Sequence, residues 1–128
     1  MDIAIGMNGK ADTLCEKKNT AKEGGSGSLP VYATPSMIAL MEGAACNAVQ
    51  EALPEGKTTV GISMNIEHIA ATPVGLSVSA EAEITAVEGK IITFSVKAYD
   101  EKSEIGKGIH KRCIVDAQRF LDKAYSKV

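Results

Sequence analysis

Tryptophan is absent from this sequence, and its 128 residues include only two phenylalanines and three tyrosines. A core so poor in aromatics must be packed from Ile, Val, Leu, Met and Ala, and its many small side chains let elements approach closely. No run of about 18 apolar residues occurs, so no membrane-spanning helix is expected. Residues 1–10 carry Asp2 and lack the basic start and apolar stretch of a secretory signal. Cysteine is scarce: Cys15, Cys46 and Cys113 are far apart, odd in number and without metal-ligand spacing. They read as thiols in a reducing cytoplasm, with no metal or cofactor site expected. An excess of one charge is missing too, since 14 basic and 16 acidic side chains leave a net −2. The longest basic clusters, Lys17-Lys18 and Lys111-Arg112, are too short to form a phosphate-binding stripe, which argues against a nucleic-acid partner.

What is present has the length of one domain, residues 1–128. Weak strand signals lie at residues 3–7 and 11–15. Gly24-Gly25-Ser26-Gly27-Ser28 follows, with too little side chain to hold itself rigid, and predicts a mobile lid over residues 24–29. Thr34-Pro35 marks a helix start, with the hydroxyl at the N-cap and proline at the first helical position. From residue 36 to about 53, Met37, Leu40, Met41, Ala44, Ala45, Ala48, Val49 and Ala52 recur at helical spacing as one apolar stripe. Pro54-Glu55-Gly56 ends it.

Strands follow. Val60, Ile62, Met64 and Ile66 alternate with Thr59, Gly61, Ser63 and Asn65, and the even positions are expected to face inward. Leu76, Val78, Ala80, Ala82, Ile84 and Ala86 form the clearest period of two, closed by a hairpin at Glu88-Gly89. Ile92, Phe94, Val96 and Ala98 share a face of the next strand. The last strand, residues 105–115, contains Gly106 and Gly108, which suggests a bulge or sharp curvature. The order predicts an α+β domain: one long helix against an antiparallel sheet. One helix cannot cover both faces of that sheet, so association into at least a dimer through the sheet is expected.

Few side chains could carry chemistry. His68 continues the apolar row of its strand, close to the turn at residues 71–75. It is either a hydrogen-bonded core histidine or a general base at a pocket mouth. Glu42 borders the apolar stripe of the helix, as a solvated flank or as a carboxylate for acid–base or nucleophilic work. Thr34 is a helix cap on the plain reading, but free amides and a positive dipole end lie beside it, suited to an oxyanion. Arg112 is a surface charge or a partner for Glu or phosphate. His110 is expected to be structural or exposed.

Taken together, Val31-Tyr32-Ala33-Thr34-Pro35, Met37, Met41-Glu42, Gly61 and His68-Ile69-Ala70-Ala71-Thr72-Pro73-Val74-Gly75 resemble the fluoroacetyl-CoA thioesterase branch of the hot-dog superfamily. The resemblance continues through Val87-Glu88-Gly89-Lys90, Glu104-Ile105-Gly106, Gly108-Ile109-His110 and Arg112, over roughly residues 30–118. It implies a hot-dog fold, in which a curved antiparallel sheet wraps a central helix. It implies an acyl-CoA thioesterase acting on a short acyl group, with Thr34, Glu42 and His68 as the catalytic set. Gly61 and Arg112 fall on positions that the family uses around its substrate. Coenzyme A would be part of the substrate, and the family's dimers place acyl-CoA at the subunit interface. The family's fluoroacetyl-selective member carries a phenylalanine in its lid. Residues 24–29 have no aromatic, so no pocket tuned to a single fluorine is expected here. Two other classes of function are open to such a fold: a non-catalytic acyl-CoA sensor, for which a base would be superfluous, and a dehydratase or hydratase, whose paired His and Asp loop is not evident here.

Overall fold

The computed structural model describes residues 2–128. Strand β1 (Asn8–Leu14) leads through a single turn of 3₁₀ helix and the short helix α1 (Ala21–Gly24) to the long helix α2 (Thr34–Val49). Four strands follow, β2 (Lys57–His68), β3 (Ser77–Glu88), β4 (Ile91–Asp100) and β5 (Glu104–Asp116), and helix α3 (Ala117–Tyr125) ends the chain. The strands form one antiparallel sheet in the order β1-β3-β4-β5-β2, curled around α2. This is the hot-dog arrangement. Among the described residues no helix is long and apolar enough to cross a membrane.

The expected stripe on α2 makes the core. Met37, Met41, Ala44, Ala45, Ala48 and Val49 are buried against Val78, Ala80, Ala82 and Ile84 of β3 and Ile92, Phe94, Val96 and Ala98 of β4. With so few large side chains, the density comes from close approach of backbones. Gly9 of β1 shows how close: a Cβ there would run into the Ala44 carbonyl and the Ala48 amide of α2. Gly106 is similarly crowded by the Met37 sulfur. The helix is α-helical to residue 49, then tightens into a 3₁₀ turn over Gln50–Ala52, so it ends somewhat before the expected residue 53.

Three expectations change. The N-terminal strand signals merge into β1 alone. The glycine–serine stretch begins inside α1, whose N-cap Thr20 accepts from the Glu23 amide and whose end at Gly25 has φ +75°. Ala21 N–H donates to Val31 C=O at 2.8 Å and Lys22 N–H to Leu29 C=O at 3.1 Å, so the base of the proposed lid is stapled at both sides. On β2, the predicted inward row Val60-Ile62-Met64-Ile66 is broken. The pairing with β5 slips between Gly61 and Ser63, with Ile62 as the extra residue. Such a bulge inverts the side-chain phase. Thr59 is therefore buried and Gly61 turns inward before it, Met64, Ile66 and His68 turn inward after it, and Ile62 is left 52% exposed.

Candidate functional site

Thr34 was expected to cap α2, but the N-cap is Ala33, and Thr34 and Pro35 occupy the first two helical positions. The first intrahelical bond runs from Met37 N–H to Ala33 C=O at 3.0 Å. This one-residue shift matters chemically, because the Thr34 hydroxyl is not spent on the backbone. Its Oγ1 lies 2.8 Å from His68 Nδ1. His68 reaches it because β2 ends there, with Ile69 N–H bonded back to Ile105 C=O at 2.7 Å.

The pair sits on the wall of a cavity of about 360 Å³ lined also by Val31, Tyr32, Ile69 and Ala70. His68 Nε2 is buried and has no hydrogen-bond partner among the described residues. Burial holds the imidazole below its ordinary 6.5, with a backbone group of Ala70 opposing. The Tyr32 phenol on the same wall is pushed up to about 12, by burial and then by the charge of Cys15. The wall around the pair is therefore uncharged at neutral pH.

Glu42 lies eight residues further along α2, about 12 Å of rise and about 80° of rotation from Thr34. It takes a different partner. Arg112 Nη1 donates to Glu42 Oε2 at 3.2 Å. The guanidinium is almost wholly buried while the carboxylate stays 42% exposed. Arg112 is fixed from below: Nε donates to Thr59 Oγ1 at 2.9 Å and Nη2 to Thr59 C=O at 3.0 Å. Thr59 is inward-facing only because of the bulge. Gly61 completes this group. A Cβ at Gly61 would lie 2.7 Å from Glu42 Oε2 and 3.4 Å from both Arg112 Nη1 and His110 Cε1. Its backbone φ lies outside the left-handed region, so it is space, not conformation, that the glycine supplies.

The structure thus divides the predicted residues into two groups spaced along α2, Thr34 with His68 and Glu42 with Arg112 and Gly61. His110, expected to be structural or exposed, is 1% exposed and belongs to the second group through Arg112. Thr59 was assigned to the outer face by strict alternation. A signal for His110 lay on β5, where His110, Arg112 and Ile114 alternate as buried residues with exposed or half-buried neighbours. Among the described residues no cluster of three or more His, Cys, Asp or Glu is arranged to hold a metal ion.

Known proteins share this architecture. The family model described as fluoroacetyl-CoA-specific thioesterase (FlK) matches residues 15–118. A fluoroacetyl-CoA thioesterase from Streptantibioticus cattleyicolor is 38% identical over 97 residues, spanning 76% of this chain and 70% of that protein. A solved structure of the fluoroacetyl-CoA thioesterase FlK superposes with a TM-score of 0.93 at 30% identity, covering 100% of this chain and 99% of that one. A thioesterase-superfamily protein from Thermus thermophilus superposes at 0.85 with 26% identity over 99% of this chain and 98% of its own. With the family model spanning most of the sequence and a curated relative at that identity, the chain belongs to the fluoroacetyl-CoA-specific thioesterase family.

Proposed function

We propose that this protein hydrolyses the thioester of a short-chain acyl-CoA to the free acid and coenzyme A. The observation that carries the reading is the 2.8 Å approach of Thr34 Oγ1 to His68 Nδ1 on a cavity wall, with His68 Nε2 still free to bond. A hydroxyl against an imidazole is the arrangement in which a base accepts a proton from an oxygen nucleophile and returns it to a leaving group. In thioester cleavage the oxygen bonds to the carbonyl carbon, the C–S bond breaks, and the CoA sulfur takes up the proton. His68 is the shuttle. The amides of Thr34 and Ser36 precede the first intrahelical bond and, with the positive end of α2, face the charge that develops on the carbonyl oxygen. The group that attacks is the Thr34 hydroxyl, the Glu42 carboxylate or a water that one of them activates. Attack by either side chain leaves an ester or anhydride that a water then cleaves to the free acid. Because the carboxylate brings no proton, the CoA sulfur then takes one from solvent through His68. Gly61 leaves the approach to the Glu42 carboxylate open, and Arg112 holds that carboxylate in place. No cofactor enters this chemistry, because coenzyme A arrives with the substrate.

Two features extend the proposal. Strand β2 is 12 residues long and forms one edge of the sheet, with Glu42 half exposed beside it. Such an edge invites pairing with a second copy. The working unit is therefore a dimer or higher homo-oligomer, and the separation of Thr34 from Glu42 is spanned by the thioester or closed by the partner. Light scattering at micromolar concentration is expected to give more than one chain per particle, and a monomer there would defeat this reading. The lid, residues 24–29, has no aromatic side chain, so acyl groups are sorted by size and not by fluorine. The three free thiols fit a reducing cytoplasm.

The deciding experiment measures CoA release from acetyl-, fluoroacetyl-, longer acyl- and enoyl-CoA. Release from the short saturated substrates is expected, with no preference for the fluorinated one. An absence of CoA release from every thioester refutes the proposal, and hydration of the enoyl group without CoA release moves the protein to another class.

A further inference from the structure

We propose that His110 is a positioning residue for Glu42, acting through Arg112. The proposal rests on the thioesterase reading of the site and concerns a side chain that the mechanism above does not use. His110 Nδ1 lies 2.8 Å from the Ser63 carbonyl, and His110 Nε2 lies 3.2 Å from Arg112 Nη1. A carbonyl only accepts, and a guanidinium nitrogen only donates. One protonation state satisfies both neighbours: the neutral ring with its proton on Nδ1. Burial favours the same neutral form by lowering the imidazole, the Ser63 bond opposes, Arg112 lowers it further and Glu42 opposes again.

Arg112 Nη1 carries two hydrogens, and they are divided between His110 Nε2 and Glu42 Oε2, each at 3.2 Å. With the two bonds to Thr59, four of the five guanidinium N–H groups are committed. Without His110, one Nη1 hydrogen loses its acceptor in a buried site, and the guanidinium is free to tilt about its Thr59 anchor. The carboxylate that it holds would move with it. The other ring bond, to the Ser63 carbonyl just after the bulge, bears on stability and not on the carboxylate. The ring is kept in plane by Phe94 of β4, with centroids 6.0 Å apart and planes 28° apart.

Two near-isosteric changes separate positioning from mere packing. His110→Gln keeps an acceptor near the position of Nε2 and loses the donor to Ser63. His110→Asn keeps a donor near the position of Nδ1 and loses the acceptor for Arg112. Each removes one buried hydrogen bond, so both should melt earlier by similar amounts. The kinetics should differ. For His110→Gln, kcat on acetyl-CoA is expected within about threefold of the parent, whereas His110→Asn is expected to lose about tenfold or more with KM little changed, as displacement of a working group does. Equal losses in the two variants, or losses that follow only the folded fraction, overturn the proposal. A second measurement stands apart from the variants and from activity. The imidazole ¹⁵N spectrum of the parent protein at neutral pH should show His110 protonated on Nδ1 alone, and a proton on Nε2 overturns the proposal. If the parent releases no CoA from any thioester, the thioesterase reading fails, while this spectrum still judges the tautomer on which the positioning role depends.

Discussion

Gly61→Ala is the smallest perturbation that the site should feel. The added Cβ would sit 2.7 Å from Glu42 Oε2. That is roughly 0.6 Å inside the closest ordinary C···O approach of about 3.3 Å. The backbone does not move to relieve it, because Gly61 is paired with Arg112 in the β2–β5 ladder. The carboxylate moves instead, being the end of a flexible and half-exposed side chain. Its bond to Arg112 is then lost. The stability cost is small: an ion pair with one exposed partner contributes about 0–1 kcal/mol. Replacing glycine where the backbone is ordinary returns about 0.4–1 kcal/mol by restricting the unfolded chain. The two nearly cancel, so Tm should shift by no more than about 4 °C. Activity has no such compensation, and kcat should fall by roughly 10- to 100-fold if Glu42 must be in place. Placing the same change in a Glu42→Gln background should add almost nothing, because both act through one carboxylate. The assay is CoA release beside a melting curve for the single and double variants. A Gly61→Ala protein that keeps kcat within about twofold, or a double variant whose losses multiply, would refute the argument.

His68→Gln should leave a folded protein and lower kcat by about 10² or more, which CoA release and a melting curve together can read; a folded variant with most of its turnover removes His68 from the mechanism. Stability should depend on pH through both histidines. Burial lowers each below 6.5, so as pH falls through that value the unfolded chain takes up protons first. The stabilisation from keeping the rings neutral is complete above 6.5 and is lost towards the lowered folded values. Urea midpoints measured from pH 7.5 to 5 should decline, and His110→Gln should flatten the decline. Ser28→Phe places an aromatic in the lid and should change relative kcat/KM among acyl chains while Tm stays nearly constant.

Much of the fold was legible because periodicity is a local property. β3 reads correctly from Val78 to Ile84 because its neighbours on both sides keep register over that span. The α2 stripe reads correctly because each buried position needs only its own turn. The errors lie where a single residue shifts the phase. Nothing in Gly61-Ile62-Ser63 announces the bulge, since Ile62 fits an inward row as well as Val60 does. Its exposure is decided by pairing with β5, nearly 50 residues later in the chain. Thr34 makes an ordinary N-cap by composition, and only the position of His68 reveals that its hydroxyl is needed elsewhere. The Glu42–Arg112 pair joins residues 70 apart, beyond the reach of any spacing argument. The resemblance to a family brought these residues together by name, and the geometry supplies the reason they can meet.

The bulge also bears on how this strand can change through descent. Thr59 and Gly61, before Ile62, face Arg112 and Glu42, and His68, after it, faces Thr34. Losing or gaining one residue there exchanges inside for outside along half the strand, so strand length, more than composition, is the inherited quantity that keeps the two halves in step. Ile62 itself is half exposed, and it is its place in the chain, more than its side chain, that sets the phase of both halves.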